Sequence, residues 1–160
     1  MNIFVTNPSP AKSAQFLDDK RIGKMCLETA QLLCTAINQC GLTAPYKSTH
    51  VNHPCTKWVM ESYSNWLWLW DHGMALGEEY YRRFNKYHKS HEVINELWHL
   101  YPEQFYVDSG LTPFANCAAN KGLGINYKDE VDVHLAYQLY LNDRWDTDKR
   151  PPTWYGEKRI

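Results

Sequence analysis

Two runs of this chain admit little other than helix. Between Lys20 and Gln39 the only helix-weakening residue is Gly23, and the run stops at Cys40-Gly41, a helix C-terminus signal. Between Pro54 and Lys86, the residues Trp58, Val59, Tyr63, Trp66, Trp70, Met74 and Tyr81 recur near helical spacing. That spacing predicts one kinked helix or two in line, broken near Ser64 or Gly73, with the Trp stripe as core. Shorter helices are expected at 10–17, with Ser9 as N-cap and Pro10 at the first position, and at 91–100, ending before Pro102. Another is expected at 129–142, with Val131, Val133, Leu135 and Leu139 facing inward. Residues 2–6 read as a short strand or an extended arm, 42–53 as a polar loop, 102–128 as a long irregular segment and 150–156 as an extended tail. With no repeat and no linker, the expectation is all-α: one helical-bundle domain over 1–160.

Seven Trp, eleven Tyr and 44% hydrophobic residues suffice for a core without staples. The five cysteines are odd in number and lack CxxC spacing, so they read as reduced thiols. The first residues resemble no secretory signal, and no window is apolar enough to span a bilayer. The expected setting is the cytoplasm, with no membrane partner. A net charge of −1, from 17 basic and 18 acidic residues, argues against gripping long duplex DNA mainly by counterion release. Any contact with nucleic acid must rest on local patches.

Two such patches stand out. Asp18, Arg21, Lys24, Glu28, Gln31 and Thr35 follow one another at steps of three and four, along one helix face opposite Ile22, Cys26, Ala30, Leu33 and Ile37. That face is either a solvated, salt-laced surface or a site in which Glu28 works as acid or base while Arg21 and Lys24 hold phosphate. The second patch spans Gly77 to Lys89, where Glu79, Arg83 and Lys86 share a face and Glu78 and Arg82 its neighbour. Cations and His88 interleaved with Tyr and Phe can hold phosphate and stack a base, though the same pairs are also ordinary helix ion pairs. His50-x-x-His53 with Cys55, and His88-x-x-His91, offer nitrogens to zinc but fit no known zinc pattern. Neither a metal nor any cofactor is expected. No Walker loop, GxSxG or GxGxxG occurs.

The tail Arg150-Pro-Pro-Thr-Trp-Tyr-Gly resembles the C-terminal element of phage pyrimidine-dimer DNA glycosylases of the endonuclease V type. A looser likeness covers Ala14 to Arg21 and Glu79 to Phe84. The wider pattern, from Asp18-Asp19-Lys20-Arg21 through Lys24, Glu28, Gln31, His53-Pro54 and Trp58 to His88-Lys89-Ser90, also looks like an uncharacterised phage-borne helical family. The first resemblance implies an all-helical fold, an N-terminal α-amine that cleaves an N-glycosidic bond, a carboxylate on the first long helix, arginines on the DNA backbone and a flipped-out base. The place of that carboxylate is open among Asp18, Asp19 and Glu28. Initiator methionine is removed before small residues and Asn2 is not small, so the family's free N-terminal nucleophile is expected to be missing.

Three functions are therefore weighed. One is an enzyme on a nucleotide or DNA base, with Glu28 or Glu79 as acid/base and Arg21, Lys24, Gln31, His53, Trp58, Arg83, Lys86, His88 and Lys89 as substrate contacts. Another is a non-catalytic phage protein, working in the host cytoplasm, that sequesters a nucleotide such as a defence signal. The last is a helical interaction protein whose charged stripes are surface.

Overall fold

The computed structural model describes residues 1–100 and 110–155, and the backbone of 157–158. Tyr101, part of the expected irregular segment (102–109), Gly156 of the tail and residues 159–160 lie outside the described residues. The first helix, α1 (Pro10–Phe16), begins as expected: Ser9 Oγ accepts the Lys12 N–H at 3.3 Å and Pro10 occupies the first position. The long α2 (Asp19–Gln39) closes at Cys40, and Gly41 follows at φ +87°, a conformation glycine adopts without penalty. Asp18 stands at the N-cap of α2 but caps no N–H. Its carboxylate accepts from Arg21 at 3.2 Å and from the Trp145 indole at 2.8 Å.

The aromatic run is two helices, α3 (Pro54–Glu61) and α4 (Tyr63–Phe84), hinged at Ser62 rather than at Ser64 or Gly73. Ser62 leaves the helical conformation, and its Oγ accepts the Asn65 N–H at 3.1 Å to start α4. Gly73 has a different task. A Cβ there would lie 3.0 Å from both Ile94 Cδ1 and Thr29 Cγ2, so glycine lets α4 press against α2 and α5 (Lys89–Glu96). One 3₁₀ turn, Leu97–Leu100, continues α5.

The last helix, α6 (Val133–Thr147), is capped by Asp132, which accepts from His134 and Leu135 N–H. Val131 therefore stays outside it and is 98% exposed, and Leu135 is exposed too. Ala136, Tyr137, Tyr140, Leu141 and Trp145 do the inward packing instead. Two short antiparallel hairpins complete the chain: β1 (Ala119–Asn120) with β2 (Ile125–Asn126), and β3 (Thr153–Trp154) with β4 (Glu157–Lys158). The fold is all-α, and no helix among the described residues is long and apolar enough to cross a membrane.

The helices α2 and α4 run antiparallel, Asp19 meeting Arg83 at one end and Thr29 meeting Gly73 further along. Because α4 covers one side and α3 and α5 others, α2 is buried well beyond its apolar stripe: Arg21, Met25, Thr29, Leu32 and Thr35 join the expected inner face. Trp58 and Trp66 are core, as expected from their spacing. Gly77 lies under the His91 ring, with Nδ1 only 1.8 Å from where a Cβ would be. Gly77→Ala must push that ring off its stack on Tyr87, an overpacking expected to cost about 2 kcal/mol net of the helix-propensity gain. Thermal melting checks this, and Gly77→Ala combined with His91→Ala should recover most of the loss.

His72 is fully buried, stacked on Trp68, with Nδ1 3.0 Å from the Pro10 carbonyl. Burial pushes the imidazole down from 6.5 to about 4. Between those values the unfolded chain binds a proton that the folded chain refuses, so stability is fully present above pH 6.5 and falls as pH drops toward 4. The loss from this one group is about 3 kcal/mol. Unfolding free energies from urea titrations at pH 7 and pH 4 should differ by about that much more in the wild type than in His72→Phe.

Candidate functional site

The first four residues form a tight arm rather than a strand. Asn2 Oδ1 accepts the N–H of Ile3 at 2.8 Å and of Phe4 at 3.2 Å, and Asn2 Nδ2 donates to the Cys117 carbonyl. Phe4 adopts φ +58°, a conformation a bulky residue takes only when its surroundings impose it. Those surroundings are Tyr140, stacked at 5.9 Å, and Tyr137, edge-on at 6.1 Å, with the Thr6 N–H returning to the Phe4 carbonyl at 2.9 Å. The turn brings the chain's first nitrogen back over α2. Met1's own α-amine lies 3.9 Å from Glu28 Oε1, so a methionine kept ahead of Asn2 still presents an amine to a carboxylate on the first long helix. Of the three acids that compete for that place, Asp18 is engaged with Arg21 and Trp145, and Asp19 with Arg83 and Thr153.

The amine and Glu28 line a pocket of about 520 Å³. Its walls come from four parts of the chain: Lys24 on α2, His53 and Pro54 at the start of α3, Cys117 with Lys121 and Lys128 around the first hairpin, and Tyr140 and Arg144 on α6. Lys24, Lys121, Lys128 and Arg144 form no ion pair among the described residues. Arg144 gives Nη1 to Tyr140 Oη at 3.0 Å, while its buried Nε has no partner among the described residues. A chain with a net charge of −1 thus gathers four uncompensated cations around one concavity, where anions are attracted locally.

The other expected contacts fall elsewhere. Arg21 is buried, donating to Asp18 and, at 2.9 Å, to Asp148 of the α6 end. Glu79 accepts from Arg82 at 2.9 Å, Arg83 at 3.0 Å and Tyr155 Oη, and the Arg83 side chain is itself fully buried and reaches Asp19 at 3.1 Å. Tyr155 lies beneath the guanidinium groups of Arg82 and Arg83 at 4.5 and 5.1 Å, Trp154 donates to the Phe16 carbonyl, and Thr153 donates to Asp19. The second charged patch therefore clasps the tail, and Glu79 does not line the pocket of Glu28. Asp19 and Glu28 are nine residues, or about 14 Å of helix, apart, and Glu79 sits at the Asp19 end. Gln31 borders a separate shallow groove beside Tyr46. Trp58 is core, its indole donating to the Thr112 carbonyl at 3.3 Å. His88 caps α5, and Lys86 and Lys89 are exposed beside it, away from the pocket.

His53 caps α3, its Nδ1 accepting the Cys55 N–H at 3.1 Å. Burial first, and then the nearby α-ammonium, His50 and Lys128, hold this imidazole below its ordinary value. Beside it, Cys55 donates to the Cys117 sulfur at 3.8 Å. That hydrogen bond, with Lys128, Tyr137 and the α-ammonium, lowers the Cys117 thiol, while the same bond and burial raise Cys55.

An amine held against a carboxylate, in a pocket ringed by cations on an all-helical scaffold, is the equipment of a DNA glycosylase-like protein. The chain belongs to the pyrimidine dimer DNA glycosylase family, whose model matches residues 1–95. That stretch contains Met1, Lys24, Glu28 and His53, whereas Lys121, Lys128, Arg144 and the tail lie beyond it. No curated protein and no solved structure matches the chain. Sequence reasoning found Lys24, Glu28 and His53 but missed the hairpin lysines and Arg144. The one signal for them was their charge, Lys121 and Lys128 in a segment read as irregular and Arg144 just beyond the expected last helix.

Proposed function

We propose that this protein cleaves the N-glycosidic bond of a damaged nucleotide in DNA, with the α-amine of Met1 as nucleophile and Glu28 as acid/base. The observation that carries the proposal is the 3.9 Å approach of amine and carboxylate inside the basic pocket. Glu28 takes a proton from the ammonium, and the freed nitrogen attacks C1′. The C1′–base bond breaks with its electron pair on the base, which takes the proton held by Glu28. Glu28 next takes a second proton from the C1′-bound nitrogen and passes it to O4′, opening the sugar and leaving C1′ and the nitrogen joined as an iminium that keeps the third N–H proton. A separation slightly beyond hydrogen-bond length is usual for catalytic groups without substrate.

A pocket of this size suits one extruded nucleotide rather than a duplex. Lys24, Lys121, Lys128 and Arg144 would hold the phosphates on either side of it. The test is incubation with ultraviolet-irradiated duplex, undamaged duplex and free nucleotides, with products read by mass spectrometry. Glycosidic-bond cleavage in the irradiated duplex alone is expected, read as a strand with an opened sugar whose base stays joined to its dimer partner. A free nucleotide retained intact, with no cleavage of any duplex, would favour sequestration instead, and inert behaviour toward all three would end both readings.

A further inference from the structure

His53 and Cys117 line the pocket and Cys55 is buried against Cys117, and the glycosylase reading leaves all three without a role. His53 stands at the N-cap of α3, Cys55 two residues further on, and Cys117 arrives from before the first hairpin, 62 residues later in the chain. One donor atom from each lies within 4.8 Å of the other two. The two sulfurs are 3.8 Å apart. Two zinc–thiolate bonds of about 2.3 Å at a tetrahedral angle also place their sulfurs about 3.8 Å apart. A disulfide, by contrast, would need them to close to about 2 Å.

We propose that His53, Cys55 and Cys117 form a three-ligand site for a soft d¹⁰ divalent cation, zinc in the first instance, with its fourth position open to the pocket. Neither HxxH pair is involved as a pair: His50 Nδ1 is 2.7 Å from Thr49 Oγ1, and the His91 ring packs on Tyr87 and Gly77. The imidazole and sulfurs need approach by only about 1 Å to reach bonding geometry. Two thiolates select zinc over magnesium or calcium, and their two charges cancel that of the cation. On binding, the two thiols release two protons to solvent, and no electron is transferred.

Lys128 and the α-amine share the pocket lining with Cys117, and Tyr137, buried behind it, donates to the Ala115 carbonyl and accepts the Cys117 N–H at 3.0 Å, fixing the backbone that carries the ligand. The remaining cysteines offer no rival site: Cys26, Cys34 and Cys40 belong to no group of potential metal ligands among the described residues.

The experiment adds cobalt(II) and, separately, zinc to the full-length protein kept reduced by a phosphine. One equivalent should give thiolate-to-cobalt charge-transfer absorption and tetrahedral d–d bands, both displaced by one equivalent of zinc. Cys117→Ser should remove the charge-transfer intensity or halve it, and His53→Asn, which keeps an N-cap acceptor, should weaken cobalt binding at least tenfold. Circular dichroism melts establish that both variants fold. No charge-transfer band in the wild type, or a band unchanged in Cys117→Ser, would overturn the site. Oxidation of Cys55 and Cys117 to a disulfide once the phosphine is removed, without a cobalt band beforehand, would overturn it equally. The readout is spectroscopic, so its outcome is independent of whether the pocket cleaves DNA.

Discussion

Glu28→Gln is expected to lower turnover on damaged duplex roughly a thousandfold, the usual worth of a positioned acid/base, while duplex binding stays the same or tightens. The sign of the binding effect follows from the pocket. Among the described residues, Glu28 is the one carboxylate in a lining that holds Lys24, Lys121, Lys128 and Arg144, so neutralising it removes a repulsion toward phosphate. Its side chain is only 14% exposed, and glutamine has nearly its shape, so a folding defect is not expected. Single-turnover cleavage and filter binding, run side by side, separate the two quantities. A matched loss of both would place Glu28 in binding or folding instead.

Blocking the α-amine should be at least as severe. Acetylation at Met1, or a Gly-Ser extension ahead of it, is expected to abolish cleavage to within detection, a loss of a thousandfold or more. A retained rate would transfer the nucleophile to one of the pocket lysines, Lys24, Lys121 or Lys128. The α-amine is the better candidate on general grounds, since peptide α-amines ionise about 2.5 pH units below lysine and hold far more free amine near neutrality. The same blocked protein should keep its melting temperature to within a few degrees, because the ordering of the arm rests on Asn2 and Phe4 rather than on the amine.

The sequence made the long helices legible because Pro is absent from their interiors, Gly is sparse in them and their apolar residues recur near helical spacing. The hinge at Ser62 was harder to place: a serine that leaves one helix and caps the next looks locally like any polar residue, and Gly73, the more conspicuous breaker, serves packing against Ile94 and Thr29. The inward face of α6 was misread because its burial is carried by Tyr137, Tyr140 and Trp145, while Val131 precedes the Asp132 cap. At the site, Lys24 and Glu28 share a helix face and could be paired by spacing alone. The amine could not, since it reaches Glu28 only through the turn that Asn2 imposes and the aromatic box around Phe4. Lys121, Lys128 and Arg144 are collected from a hairpin and a helix far along the chain, which leaves no local pattern. The denser cluster of Glu79, Arg82 and Arg83 looked like a site because aromatics lay among its charges. Its partner aromatic is Tyr155 of the tail, 76 residues on from Glu79.

The most direct measurement is borohydride trapping on irradiated duplex. Cleavage through the Met1 amine passes an imine, and its reduction should leave DNA covalently fixed to the peptide that begins with Met1, in Glu28-competent protein only and not on undamaged duplex. Cleavage of irradiated DNA with no trapped adduct, or an adduct mapped to a lysine, would contradict the account.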